Sequence, residues 1–308
     1  MLQAVSQDRL SGALRRSGVW LDVGQAVLRV QGNSPQLPAQ LQSAYRHFPF
    51  VDQAAWADVH CRLDPPRGLR RWIKAQVVFL SDGVSIFSPF PANAPLPLFE
   101  WGCNWLLGHR MHDRLLFHAG ALERDAHALL LPATPGSGKS TLTAALSLRG
   151  WRLLSDEFGV LDPDTGLVHA MLKPVALKNA SIDVIRAFEP TASLGPSFPK
   201  TRKGTVAHLA ASADAVARRH EAARPGAVVL PRWEAGSSTR FKRVDPDGAF
   251  AALAFNAFNY QLLGETGFDA VVRLARQCPA WELVYSNLDD AIATLDRTWP
   301  QVLEAATI

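Results

Sequence analysis

The stretch LLLPATPGSGKST, Leu129 to Thr141, decides how the rest of the chain is read. An apolar run leads into a loop of small residues, and the loop opens onto Lys139-Ser140-Thr141. The Walker pattern of a phosphate-binding loop, G-x-x-x-x-G-K-[ST], asks for glycine six residues before the lysine. That position holds Ala133. In such a loop, successive backbone N–H groups and the helix N-terminus point at phosphates, lysine reaches the β and γ positions, and the next hydroxyl ligates Mg²⁺. Gly136 and Gly138 supply permissive backbone, Lys139 the cation and Ser140 the metal ligand. If the first position needs positive φ, alanine there costs on the order of 1 kcal/mol. That is small beside several charge-assisted contacts. The expected nucleotide-binding set is Ala133, Thr134, Pro135, Gly136, Ser137, Gly138, Lys139, Ser140 and Thr141, with ATP and Mg²⁺ as the groups bound.

The neighbouring residues read as strand, loop, helix, strand: HALLLP, ATPGSG, KSTLTAALSLR, then WRLLSDE after Gly150. Gly150 stands where a helix C-terminal cap is expected. Such a unit makes a parallel βαβ crossover, with the loop at the carboxyl end of the first strand. Asp156 and Glu157 follow Lys139 by 17 and 18 residues, at the carboxyl end of the next strand. The turn brings them beside the loop, where one carboxylate can hold Mg²⁺ and the other can accept a proton from an attacking hydroxyl. Adjacent strand residues face opposite ways, so the two cannot share a role while the strand stays regular. Upstream, His118 precedes Lys139 by 21 residues in FHAGALERDAHALLL. A hairpin turning near Arg124-Asp125 would carry His118 back alongside the loop strand. Spacing alone leaves a packed histidine and a catalytic one equally open.

Farther out, GVWLDVGQAVLRVQG predicts a strand pair turning near Gly24, and QLPAQLQSAYRHF a helix. DVHCRLD and WIKAQVVFLSDGVSIF predict further strands, the last a hairpin at Asp82-Gly83. PFPANAPLPLF reads as an irregular proline-rich connector, and EWGCNWLLGHRMHDRL as a helix. FGVLDPDTGLVHAML predicts a hairpin at Asp164-Thr165-Gly166. The last third alternates strands (KGTVAHL, GAVVLPRW, TRFKRV, WELVYS) with helices from about Pro246 to Leu263, Gly267 to Gln277 and Leu288 to Thr298. The expected division is an α+β N-terminal region over 1–100, a candidate substrate-recognition part, and a catalytic domain over 101–308.

The 308 residues, 48% hydrophobic and 19% charged, are globular in composition. The formal charge of +4 comes from many charges of both signs, so nucleic acid is not expected as a partner. Cys61, Cys103 and Cys278 match no metal-ligand spacing and suggest a reducing compartment. No apolar run approaches the roughly 18 residues of a membrane span. The expectation is a soluble cytoplasmic protein without a membrane partner.

The order of His118 strand, loop Ala133–Ser140, Arg149-Gly150 and Asp156-Glu157 resembles the HPr kinase/phosphorylase catalytic domain. The approach EWGCNWLLG…LFHAGALER, together with KGTVAHL, looks more like its divergent branch of HPr-kinase-related proteins, the kinase A type. The match covers about residues 115 to 180 closely. It implies an α/β fold, an HPr kinase/phosphoenolpyruvate carboxykinase-like P-loop domain with a mixed sheet, and a serine of a protein or peptide as acceptor. It makes His118 a site residue. The sequence departs from the family at Ala133, at the extra Ala119 between His118 and Gly120, and at Glu157 in place of aspartate. The parent family's carboxyl-terminal signature is also missing, which weakens HPr itself as the substrate. The family forms oligomers, which leaves a homo-oligomer open. On this reading Lys139 and the loop amides bind phosphate, Ser140 and Asp156 hold Mg²⁺, and Glu157 is the base.

Lys200, Arg202 and Lys203, in a basic loop, and Arg232, after GAVVLP, are candidate phosphate or substrate contacts. Asn256 and Asn259 read as polar residues on one helix that could pack against the core. Two other readings compete: a small-molecule kinase of the shikimate or gluconate type, which also places an acid shortly after its loop, and a regulatory protein that binds ATP without turnover.

Overall fold

Alternating burial along β-strands and one-sided burial along helices give a mixed α/β architecture with mixed parallel and antiparallel sheets. The computed structural model describes residues 1–201 and 203–306. The chain divides into two compact units, one of Met1–Arg110 with Ala176–Val216, the other of Met111–Val175 with the chain from Ala217 onward.

In the first unit, α1 (Gln7–Arg15) is capped by the Ser6 hydroxyl and precedes β1 (Val19–Asp22). β1 forms the expected antiparallel hairpin with β2 (Val27–Gly32). α2 (Leu37–Ala44) leads to β3 (Val59–Asp64), which runs parallel to β2. β4 (Gln76–Ser81) and β5 (Val84–Ser85) close around Asp82 (φ 51°) and Gly83 (φ 83°), the paired positive angles that a tight hairpin needs. The proline-rich connector is more ordered than its prolines suggest. β6 (Phe90–Pro91) pairs with β4, and α3 (Pro95–Arg110) starts inside the PLPLF run. Pro95 and Pro97 fall in the first helical turn, where a missing N–H is no loss. The Gln40 side chain accepts from Leu96 N–H and donates to the Asn93 carbonyl, fixing that start from α2.

The second unit begins with β7 (Leu115–Arg124) and β8 (His127–Pro132), antiparallel with Arg124 opposite His127. Asp125 (φ 54°) and Ala126 (φ 62°) make the turn, and the Glu123 carboxylate accepts from Ala126 N–H at 2.7 Å. α4 (Lys139–Leu148) ends where Gly150 takes φ 91° and Trp151 N–H reaches the Leu146 carbonyl, a Schellman closure. β9 (Arg152–Ser155) and β10 (Phe158–Leu161) both pair antiparallel with β7, and β11 (Val168–His169) completes the expected hairpin. β8 and β9 are therefore parallel, as the βαβ reading requires, but β7 lies between them.

The chain then contributes β12 (Val175–Lys178), α5 (Ala180–Phe188), β13 (Phe198–Thr201) and β14 (Gly204–Leu209). These strands form a small sheet in the order β12-β14-β13. After α6 (Ala213–Ala217) come β15 (Arg224–Trp233), β16 (Arg240–Val244), α7 (Pro246–Phe255), α8 (Tyr260–Gln277), β17 (Ala280–Tyr285) and α9 (Leu288–Ala306). Among the described residues the second unit's sheet runs β11-β10-β7-β8-β15-β17-β16, with β9 also on β7. β8, β15 and β17 are parallel, so their carboxyl ends emerge together.

The helix expected from Pro246 to Leu263 is interrupted. α7 stops at Phe255, residues 256–259 run beside the start of β7, and α8 begins at Tyr260 with a kink at Gly264 (φ 54°). Asn256 and Asn259 thus lie between two helices, not on one. No helix among the described residues is long and apolar enough to cross a membrane.

Candidate functional site

The loop Ala133–Gly138 leaves the carboxyl end of β8 and enters α4, the position at which open α/β sheets bind ligands. Gly136 and Gly138 take φ 91° and 90°, as their place in the motif predicts. Ala133 is buried and is not at positive φ, so the strain allowed for at this position does not arise. Two residues that the sequence did not single out hold the loop. Trp233 N–H donates to the Ser137 carbonyl at 2.9 Å, and the Tyr285 hydroxyl donates to the Gly138 carbonyl at 3.1 Å. Trp233 and Tyr285 end the two parallel strands beyond β8 and stand opposite each other in register. Burial pushes the Tyr285 phenol well above its ordinary pKa, so it stays a donor. A Cβ on Gly138 would lie 2.5 Å from the Tyr285 oxygen, so side-chain volume is excluded here as well as L-residue geometry.

Lys139 and Asp156 come together behind the loop. The lysine ammonium donates to the Asp156 carbonyl oxygen and stands 3.5 Å from its Oδ1, and both side chains are buried. Asp156 Oδ1 has no hydrogen-bond partner, and neither has the buried Ser137 hydroxyl. Buried polar atoms are rarely left so without a reason, and a ligand group is one. Ser140 and Thr141 are half-buried in the first turn of α4, while Thr134 and Pro135 are exposed.

Asp156 and Glu157 sit in a break between β9 and β10. Ser155 Oγ accepts from Phe158 N–H at 3.0 Å, closing a short turn around the two acids, and the register on β7 slips just before them, between Leu153 and Ser155. The two acids therefore lie in a bend outside both strands, and the strict alternation of a regular strand does not bind them. Glu157 Oε1 lies 4.0 Å from His118 Nε2, each side chain about one-quarter exposed. The β7–β8 hairpin sets His118 opposite Ala133, and Phe158 pairs with His118 from the other side.

Residues 256–259 take up the edge of β7 that β8 leaves when it enters the loop. His118 N–H donates to the Asn256 carbonyl at 2.6 Å, and Phe258 N–H to the Leu116 carbonyl at 2.8 Å. Asn259, 1% exposed, accepts from Leu116 N–H and donates to the Met111 and Arg114 carbonyls. The half-exposed Phe258 ring packs edge-on against His118 and Phe158 at 5.6 and 5.2 Å. His118 therefore lies where β7 changes partners. Gly120, two residues on, has no room for a Cβ, which would meet Thr143 Oγ1 of α4 at 2.3 Å.

A buried ion pair fixes β9 against β7. Arg152 Nε donates to Glu123 Oε2 at 2.5 Å, and the Arg218 guanidinium adds a contact at 3.4 Å. Burial alone would raise the Glu123 pKa. The Arg152 hydrogen bond, the Ala126 N–H and the two guanidinium charges outweigh it and hold the carboxyl below its ordinary range. Acid and base at this spacing carry no local sequence signal, since their pairing depends on strand register.

The other candidates are placed differently. Arg232 sits one residue before Trp233, but it is exposed and its guanidinium engages Glu234 at 2.8 Å and Glu282 at 4.0 Å. Lys200 falls in β13 and Lys203 at the exposed β13–β14 turn of the first unit, while Arg202 lies outside the described residues. Among the described residues no three His, Cys, Asp or Glu side chains gather as a metal-binding group. A divalent cation here would need oxygens from a bound phosphate. No protein-family model matches the chain, and no curated protein matches it.

Proposed function

We propose that the chain is an ATP- and Mg²⁺-dependent kinase that transfers the γ-phosphoryl group to a serine hydroxyl of a protein or peptide. Its second unit would be a P-loop catalytic domain similar to HPr kinase. The observation that carries this reading is the meeting of Lys139 with Asp156 and of His118 with Glu157 around one glycine-bearing loop.

The residues present suit a magnesium nucleotide. Gly136 and Gly138 hold the backbone in the positive-φ form that turns N–H groups outward, and α4 adds its positive helix end. Lys139 is the buried cation for phosphate oxygens, exchanging its contact with the Asp156 carbonyl for them. Ser140 and Asp156, whose Oδ1 accepts no hydrogen bond and stands 3.5 Å from the Lys139 ammonium, are the residues that would hold the metal. When bound, the ion offsets phosphate charge and fixes the phosphoryl groups in one geometry. Glu157 accepts the proton of the acceptor hydroxyl, and His118, 4.0 Å away, orients that carboxylate. Phe258, against the His118 ring, keeps water from one side of the pair.

The test is transfer of label from γ-labelled ATP, read by mass spectrometry for phosphoserine in candidate polypeptides. Glu157→Gln should lower turnover by roughly 10²–10⁴ while leaving ATP affinity nearly unchanged. Unchanged turnover would remove Glu157 as base. Label recovered only in a small metabolite would replace the polypeptide acceptor, and tight ATP binding with no turnover would replace the kinase.

A further inference from the structure

The loop between β3 and β4 carries PPRGLRRWIKA, residues 65–75, and its outer part is all surface. Every residue from Arg67 to Lys74 is exposed. Leu69 and Trp72 are each 72% exposed and Ile73 61%, three large apolar side chains within five residues. Single exposed apolar residues are ordinary on a protein surface, but a group of this kind marks a contact site. Arg67, Arg70, Arg71 and Lys74 stand among them, and the segment 65–75 holds no acid. The preceding acid, Asp64, is taken by Arg62 at 2.6 Å and by Asn33 N–H at 2.8 Å. Arg71 lies over the Trp72 ring at 5.6 Å. Among the described residues Arg67, Arg70 and Lys74 have no ion pair or hydrogen bond. The short helical turn Leu69–Arg71 follows Gly68 (φ 80°), and Lys74 (φ 48°) reverses the chain again toward β4.

We propose that this loop docks the protein on an anionic membrane surface. An indole with neighbouring aliphatic side chains enters the interface between headgroups and acyl chains, and arginine and lysine at the same level meet lipid phosphates. Cations alone would suit any polyanion, but Leu69 and Ile73 gain burial from a lipid interface and not from a nucleic acid backbone. A lipid surface also needs no shaped pocket to receive a short protruding loop. The contact is peripheral, so it agrees with the absence of a spanning helix among the described residues. It departs from the expectation of no membrane partner, which followed from the lack of a long apolar run.

The experiment is flotation of the full chain with vesicles of phosphatidylcholine alone or with about one-third phosphatidylglycerol, at low and high salt. Binding is expected only to the anionic vesicles, with loss when salt rises from about 0.05 to about 0.5 M. The double variant Trp72→Ser, Ile73→Ser should bind roughly tenfold or more weakly at low salt. Arg70→Glu with Arg71→Glu should abolish binding. All four side chains are exposed, so circular dichroism should be unchanged. Absence of vesicle binding at low salt overturns the proposal. So does undiminished binding by the serine variant, or capture of single-stranded DNA or polyglutamate as tight as capture of the vesicles.

Discussion

Lys139 Nζ stands 3.5 Å from Asp156 Oδ1, with both side chains buried and the lysine also bonded to the Asp156 carbonyl. The pair joins the first turn of α4 to the end of β9, so the phosphate-loop lysine is also a structural residue.

Removing one member of such a pair leaves a buried charge without compensation. Lys139→Met should destabilise the protein by about 3–5 kcal/mol in urea unfolding, and adding Asp156→Asn should recover much of that. A single variant that loses less than about 1 kcal/mol would show that Asp156 is hydrated in the folded state. Nucleotide binding should vanish in both variants under the kinase reading, so stability is the readout that isolates the pair.

Ala133 is the motif's missing glycine, and restoring it should not help. The residue is buried and lies outside the positive-φ region, so glycine adds freedom to the unfolded chain without relieving strain. Ala133→Gly should lower stability by about 0.5–1 kcal/mol and leave ATP affinity unimproved. A gain in both, by thermal unfolding and calorimetric titration, would mean that the loop is strained at this position after all.

Gly120 and Thr143 pack β7 against α4 with no space for another carbon. Gly120→Ala would bring a methyl within 2.3 Å of Thr143 Oγ1, on a β-branched side chain that is itself fully buried. We expect a loss of about 1–3 kcal/mol, the usual effect of overpacking. Thr143→Ala in the same chain should restore most of it, because the next nearest atoms lie at ordinary contact distance. Additive losses in the double variant would place the strain elsewhere.

Glu123 ties stability to pH. Its folded pKa is held below the unfolded value, so its contribution is fully present above the unfolded carboxylate value, about 4.3, and is lost as pH falls through the lower folded value. Urea midpoints should therefore fall as the pH drops from about 5 through the carboxylate range. Glu123→Gln should flatten that part of the profile and lower the plateau above it, because Arg152 is left buried without its partner. An unchanged slope would assign the acid sensitivity to other carboxylates.

Much of the site could be read without coordinates because its signals are local. Gly136, Gly138 and Gly150 stand where the chain needs positive φ, and Asp82-Gly83 marks a hairpin by the same chemistry. A hairpin turning near Arg124-Asp125 is the expected way to return His118 to the loop, and the strands pair as one, with Asp125 and Ala126 at the turn. The apolar pattern of AFAALAFNAFNYQLL, by contrast, continues straight through a real break. What ends α7 is Asn259 bonding to Met111, Arg114 and Leu116, partners more than 140 residues away in the chain. No periodicity within the segment records them.

Tyr285 and Trp233 show the same limit. Nothing in WELVYS or VVLPRW marks them as supports of the loop, because that role comes from two parallel pairings that align three strand ends. The sequence by itself determined the loop, the strands and helix that flank it and the order of the candidate groups, since turn angles, caps and periodicity act over a few residues. Only the tertiary structure decided that β7 lies between β8 and β9, that the strand breaks at Asp156-Glu157, and that His118 meets Glu157. Those depend on register between distant strands, set by side-chain contacts such as Glu123 with Arg152 that form only once the sheet is assembled.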